Sequence, residues 1–354
     1  MQDVFAEWKP AIDETIEEIV PRVIDEAYMQ DFFGEATYGY QPRAIQQALS
    51  DPLWELLDRG GKRWRAILFL LVVEALGDQP EEYMEYACVP EILHNGTIVV
   101  DDVEDEAKKR RGEAALHHIF GTDIALNAGN AMYFIPLKII DDVRCDLNDE
   151  RRLAVYDMLT HELNRTHLGQ GMDICWHNQK EITVDEQHYL EMCACKTGCL
   201  ARIVVRLAAI VTGQPTAVEH RLARYAEEMS IAFQISDDVL DIEHTLDQAG
   251  DFGKEFGNDI REGKKTLMII YTADRAPPED VARLEEILWA DENTEDEIIE
   301  AIDVMQRVDA LEYARERARK LSAQSRSHLD DLDLEPEAEQ HMRDLTRFVV
   351  ERTK

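Results

Sequence analysis

Val89-Pro90-Glu91-Ile92-Leu93-His94-Asn95-Gly96-Thr97-Ile98-Val99-Val100-Asp101-Asp102-Val103-Glu104-Asp105 is an apolar stretch that ends in acid, and the chain carries a second one. From Tyr225 to Ile242 apolar residues again recur at three- and four-residue steps and close on Asp237-Asp238-Val239-Leu240-Asp241. That spacing predicts two helices, each bearing an aspartate cluster. Residues four apart on a helix share a face at about 6 Å. Asp101 and Asp105 therefore address one volume, as do Asp237 and Asp241. Two carboxylates so placed repel each other. Mg²⁺ relieves that repulsion, because it takes one or two carboxylates, keeps waters and completes its shell with substrate phosphate oxygens.

The rest of the chain reads as helices too. Ile12, Ile16, Ile19, Val20 and Val23 form one apolar stripe, and Leu200, Ile203, Val204, Leu207 and Ile210 another. Turn signals at Asp58-Arg59-Gly60-Gly61, Gly77-Asp78-Gln79-Pro80, Gly213-Gln214-Pro215 and Ala276-Pro277-Pro278 cut the sequence into helix-sized pieces. Alternating strand patterns are scarce and no long linker appears. The expected fold class is all-α, one large helical bundle spanning 1–354 around a central active-site cavity, with 279–307 a peripheral acidic helical segment.

Composition narrows the function. The chain of 354 residues has 73 acidic against 38 basic residues and a formal charge of −35, yet 45% of it is apolar. A core is available, and a nucleic-acid partner is disfavoured. The acids are spread through periodic segments as solvated helix faces, and salt relaxes their repulsion at a Debye length of about 3 Å near 1 M. This points to a salt-rich cytoplasm and a halophilic source. The six cysteines, Cys88, Cys145, Cys175, Cys193, Cys195 and Cys199, lack the paired spacing of a zinc site and are expected as reduced thiols. The N-terminus has neither a basic region nor an apolar run, and Ala66–Val73 stops at Glu74, far short of the roughly 20 residues that span a bilayer. A cytoplasmic protein with no transmembrane segment is expected.

In so acidic a chain one Asp-Asp-x-x-Asp pattern arises readily by chance, and Asp141-Asp142 and Asp330-Asp331 are decoys. The basic groups around the two clusters are more telling. Gly60-Gly61-Lys62-Arg63-x-Arg65 opens a helix after a glycine turn, where backbone N–H groups and cations suit an anion. Arg110-Arg111-Gly112 follows the first cluster. Lys196-Thr197-Gly198 lies on an apolar helix, and Gly253-Lys254 and Gly263-Lys264-Lys265-Thr266 follow the second cluster. No strand precedes these glycines and the spacing is not that of a nucleotide P-loop.

These pieces, in this order, together with His94, Gly169-Gln170 and Phe233-Gln234, resemble the trans-isoprenyl diphosphate synthases, or polyprenyl synthetases, over about residues 60–266. The resemblance implies a Mg²⁺-dependent prenyltransferase that condenses isopentenyl diphosphate head-to-tail with an allylic diphosphate. It implies that Lys62, Arg65, His94 and Arg111 hold the isopentenyl diphosphate. Arg110, Lys196, Thr197, Gln234, Lys254 and Lys264 would hold the allylic diphosphate. Asp101, Asp105 and Asp237 would bind Mg²⁺, three ions when substrate is present, with Asp102, Asp238 and Asp241 in support. Asp101, Asp105, Asp237, Lys196 and Arg110 form the expected catalytic set, and a homodimer is implied. Val100 stands where many members have His or Asp, and Asn130 where many have Asp.

In the family that the chain resembles, bulk on the helix just before the first cluster stops chain growth; Gly96 and Thr97 are small there, so the resemblance implies a C20 or longer product. The alternative reading of Gly96 is that it lets helices approach closely. The text around His94 and Gly169 looks like the archaeal and eukaryotic geranylgeranyl type. The alternatives are a synthase of C25 or longer chains, a non-catalytic subunit of a heteromeric synthase, and a terpene cyclase. The cyclase motif is missing, since Glu262 and Thr266 stand where Ser/Thr and Glu are required.

Overall fold

A computed structural model describes residues 2–141, 147–247, 257–290 and 292–351, with side chains described from Glu7 onward and not at 246–247. Lys254 and Cys145 lie outside the described residues. The architecture is all-α. Among the described residues the only strands are Lys109–Arg110 and Glu113–Ala114, a two-residue antiparallel pair. No helix is long and apolar enough to cross a membrane, again among the described residues.

The chain divides into two compact units. The first comprises Met1–Asp157, Leu207–Gln214 and Leu334–Ala338. Its centre is the helix Trp64–Ala75, in which ten of twelve residues are buried. A helix apolar on every side belongs in the interior, not at a surface. The helix Gln2–Ile19 lays Ile12, Ile16 and Ile19 into this core, as the stripe predicts. Val23 departs from the stripe and is 72% exposed, because the helix ends at Ile19 ahead of Pro21.

The helix Met84–Glu104 carries the first cluster at its C-terminal end and packs against the helix Thr122–Asp141. Two glycines set that crossing. A Cβ on Gly96 would lie 2.8 Å from Met132 Cβ and 2.9 Å from the Gly129 carbonyl, and one on Gly129 would lie 2.9 Å from Val100 Cγ2. Larger residues at either position would push the helices apart.

The second unit comprises Met158–Arg206, Pro215–Asp333 and Glu339–Lys354. Its spine is the helix Thr216–Asp247, which carries the second cluster and packs along the helix Ala310–Ser327. The segment 279–307 forms the helices Pro278–Leu288 and Glu295–Arg307. Their acids face outward, while Leu284, Ile287, Ile298 and Ile302 are fully buried in this unit's core. Thr294 opens the second of these helices with a capping box, its hydroxyl accepting from Glu297 N while the Glu297 carboxylate accepts from Thr294 N. The five cysteines within the described residues are free thiols, and Cys175 alone of them is exposed.

Candidate active site

In the first unit the chain turns at Gly60 and Gly61, at φ of +95° and +130°, and enters the helix Trp64–Ala75 through Arg63 at φ +51°. An arginine in left-handed backbone is costly unless its side chain is held. It is held here: Arg63 Nε donates to Asp13 Oδ1 at 2.7 Å and Nη2 to the Leu57 carbonyl at 3.0 Å. Arg63, which the motif offers as one cation among several, is thus a buried fastener of the turn.

Its neighbours differ. Lys62 is exposed. Arg65 is buried, its guanidinium 4.4 Å from the Trp64 ring centroid and its Nε without a partner. Burial pushes Arg65 down to about 10, Arg111 adds to the shift, and Glu91 opposes it.

The tight turn between the two short strands consists of Arg111 at φ +52° and Gly112 at φ +82°. Positive φ at both central residues is the hairpin geometry that matches strand twist, and glycine adopts it without strain. Arg111 Nη1 donates to the carbonyls of Leu56 at 2.9 Å and Gly60 at 2.8 Å, and Nη2 to Asn95 Oδ1 at 3.2 Å. Arg110 turns back onto Asp102, with Nε 2.8 Å from Oδ1 and Nη2 on the same oxygen. The turn therefore gives two consecutive arginines separate anchors.

His94 lies among these arginines. Its Nδ1 is buried without a hydrogen-bond partner. Burial holds the imidazole well below its ordinary value of 6.5, and Arg65, Arg111, Arg110 and Arg63 push it the same way. His94 is therefore a neutral imidazole at neutral pH. The unfolded chain takes up a proton as pH falls through 6.5, while the folded one does not until lower pH. Stability must therefore decline over that interval. His94→Gln, which cannot titrate, is expected to flatten this acid limb. Urea midpoints above and below the ordinary histidine value check it, and an unchanged slope would contradict the assignment.

Asp101 is half-buried and Asp105 exposed at the C-terminal end of the helix Met84–Glu104, and Asp105 N donates to the Asp101 carbonyl at 2.8 Å. This is the negative end of the helix dipole, where carboxylates are disfavoured and a cation is favoured. Asp102 is 2% exposed, and burial raises its carboxyl against the pull of Arg110.

The second cluster lies mid-helix. Asp237 is half-buried, whereas Asp238 and Asp241 are buried. Asp238 accepts from Tyr189 Oη and from Gln234 Nε2, both at 2.9 Å. Burial, with Asp259 and Asp237 nearby, pushes its carboxyl up to about 8. Thr197 Oγ1 donates to Gln234 Oε1 at 3.3 Å, so Thr197, Gln234, Asp238 and Tyr189 form one chain of hydrogen bonds. Asp241 Oδ2 accepts from the Asp259 amide at 3.3 Å.

Lys196 and Thr197 sit in a π-helical turn, Ala194–Gly198. Such turns widen the helix and re-aim side chains, and they recur at functional sites. Lys196 Nζ lies 2.6 Å from Asp173 Oδ2. Gly169 makes that approach possible, since a Cβ there would come 2.3 Å from Lys196 N. Lys264 Nζ lies 3.3 Å from Asp259 Oδ1 and 2.5 Å from Glu262 Oε2. Asp173 and Asp259, which sequence reasoning did not single out, are the carboxylates on which Lys196 and Lys264 rest.

Among the described residues no three His, Cys, Asp or Glu side chains converge as a ready metal cage. The donor set still suits Mg²⁺, which uses few protein oxygens and relies on substrate phosphate for the rest.

Comparison with known proteins agrees with this chemistry. The family model for polyprenyl synthetase matches residues 46–305. Geranylgeranyl pyrophosphate synthase of Geoglobus acetivorans is 33% identical over 296 residues, covering 84% of this chain and 88% of that protein. Geranylfarnesyl diphosphate synthase of Natronomonas pharaonis is 30% identical over 314 residues, with 84% and 88% covered. The crystal structure of geranylgeranyl pyrophosphate synthetase from Pyrococcus horikoshii superposes with a TM-score of 0.83 at 28% identity, over 99% of both chains. The chain belongs to the polyprenyl synthetase family, and it is a prenyltransferase.

Proposed function

We propose that this enzyme makes geranylgeranyl diphosphate by Mg²⁺-dependent head-to-tail condensation of isopentenyl diphosphate with an allylic diphosphate. The observation that carries the reading is the pairing of two aspartate clusters with cations in a chain of net charge −35. In this assignment Asp101, Asp105 and Asp237 hold Mg²⁺ on the allylic diphosphate. When bound, the metal supplies charge neutralisation of the leaving diphosphate. Asp102, Asp238 and Asp241 act as hydrogen-bonded supports: each is buried, and Asp102 and Asp238 have oxygens already engaged by Arg110, Tyr189 and Gln234.

Lys196, Thr197, Gln234, Arg110, Lys254 and Lys264 orient the allylic diphosphate, and Lys62, Arg65, His94 and Arg111 the isopentenyl diphosphate. Neutral His94 serves as a hydrogen-bond partner and adds no charge beside Arg65 and Arg111. The C1–O bond of the allylic substrate breaks, and its electron pair leaves with the diphosphate. The isopentenyl double bond attacks C1 and forms the new C–C bond. Loss of a proton to the departed diphosphate then restores an alkene, giving an allylic product one C5 unit longer. The cations lower the barrier by stabilising the leaving charge. Water must be excluded, or the cation is captured as an alcohol.

The absence of an aromatic residue at Gly96 and Thr97 supports C20 over C15. Gly96 contributes through the helix crossing at Met132 and Gly129, which leaves Thr97, half-buried one turn before Asp101, as the side chain to vary. The similarity to a geranylfarnesyl diphosphate synthase favours C25 as the second reading. Purified enzyme given isopentenyl diphosphate and farnesyl diphosphate should yield C20 as the major product. A dominant C25 product would establish the second reading, and no elongation at all would indicate a non-catalytic subunit. A homodimer is proposed on the same resemblance.

A further inference from the structure

Outside the proposed active site, four arginines of the second unit meet around one cavity. There the helices Thr216–Asp247, Ala310–Ser327 and Pro336–Glu351 enclose a cavity of about 400 Å³. Arg315, Arg319, Arg326 and Arg347 line it, against two glutamates, Glu243 and Glu351. Acid outnumbers base almost two to one in the chain as a whole, so this local reversal is not a sample of the average surface.

The four arginines are not equivalent. Arg315 is held by Glu243 and Glu312, and Arg319 by Glu312 at 3.1 Å. Arg347 has Asp344 at 3.1 Å. Arg326 has no ion-pair partner among the described residues: its Nη1 donates to Ser322 Oγ at 2.7 Å, and its carbonyl accepts from Arg343 Nη1 at 3.1 Å. Burial, together with Arg347 and Arg343, holds Arg326 below its ordinary value against the opposing pull of Glu351. A half-buried guanidinium crowded by like charge is favoured by any anion that can reach it. Guanidinium forks match the oxygens of phosphate, and Val239, Leu240, Ala318 and Val350 give the same cavity an apolar side.

We propose that this cavity binds a small phosphoester, with its phosphate on Arg326, Arg347 and Arg319 and an apolar portion against Val239, Leu240 and Val350. The aspartates of the second cluster do not line it, yet Ser236, Val239, Leu240 and Glu243 belong to the same helix. Occupancy can therefore bias the helix that carries Asp237. The site stands independently of the catalytic assignment.

The test is calorimetric titration of the full chain in EDTA, on an Asp101→Ala/Asp237→Ala background that removes metal-dependent phosphate binding. Inorganic pyrophosphate and citronellyl monophosphate are the probes. Adding Arg326→Gln and Arg347→Gln should weaken one binding equivalent at least tenfold, with the circular dichroism spectrum unchanged. On the native background the same pair of substitutions should leave turnover at saturating substrate intact. If the pair fails to fold, Arg319→Gln, an exposed position, should still weaken binding roughly threefold. Tighter binding of citronellyl monophosphate supports the tail-bearing phosphoester, and equal binding of the two probes would refute the apolar half of the proposal and leave a site for a free phosphate anion. Superimposable isotherms with and without the arginine substitutions would overturn the proposal.

Discussion

Asp101→Ala is expected to lower turnover by about a thousandfold, equivalent to ~4 kcal/mol of transition-state stabilisation. Asp237→Ala should cost a similar factor. The double variant should fall well short of a millionfold, because on the proposed assignment both groups would serve one diphosphate, and groups that act as a unit are not additive. Asp101 shares the negative end of its helix with Asp102 and Asp105, whose repulsion its removal relieves, but it also attracts Arg110. The two effects oppose, so measured without Mg²⁺ the Tm of Asp101→Ala should stay within a few degrees of the native chain. A variant that is both inactive and markedly less stable would mean that Asp101 serves the fold. Unchanged turnover would refute the metal assignment outright.

Gly169→Ala carries the second large effect. The methyl would meet backbone, 2.3 Å from Lys196 N and 2.7 Å from the Cys195 carbonyl carbon, and no side-chain rotation can clear that contact. The helix Asp149–Asn178 and the π turn must separate, at about 1–3 kcal/mol. The same displacement moves Lys196 away from Asp173 and Thr197 away from Gln234. Turnover should fall at least tenfold and the KM for the allylic diphosphate should rise. Gly171→Ala is the matched control: a Cβ there meets nothing within 4 Å, and the variant should behave as native. Thermal denaturation and steady-state kinetics on the pair decide it. Equal behaviour of the two variants would remove the close approach from the account.

The helices were legible because periodicity reports which face is buried, and both aspartate helices appeared where the apolar spacing ran into acid. Both helices begin ahead of their apolar stretches, at Met84 rather than Val89 and at Thr216 rather than Tyr225, because the earlier turns carry mixed residues on solvated faces. What the sequence could not convey is which partner each charged group takes. Arg63 and Arg65 belong to one motif, yet Arg63 is tied to Asp13, fifty residues earlier, while Arg65 lies over Trp64. Lys196 reaches Asp173, and Lys264 reaches Asp259, through contacts that backbone geometry creates. The π turn left no sign in residue choice, since its amino acids suit an ordinary helix. Gly96 admitted two meanings, product space or helix approach, and the contact with Met132 and Gly129 that accounts for the second lies 33 to 36 residues away in the chain, where local sequence does not report it.

Three of the cations assigned to substrate are already seated on carboxylates: Arg110 on Asp102, Lys196 on Asp173 and Lys264 on Asp259. A diphosphate that takes over these cations leaves negative charge behind, and a divalent metal is the natural compensation. Metal that loads first lowers the need of the acids for those same cations. The two ligands are consequently coupled, and reciprocity requires each to tighten the other by the same factor. Diphosphate affinity should accordingly climb with free Mg²⁺ and level off, and Mg²⁺ affinity should climb with diphosphate along a matching curve.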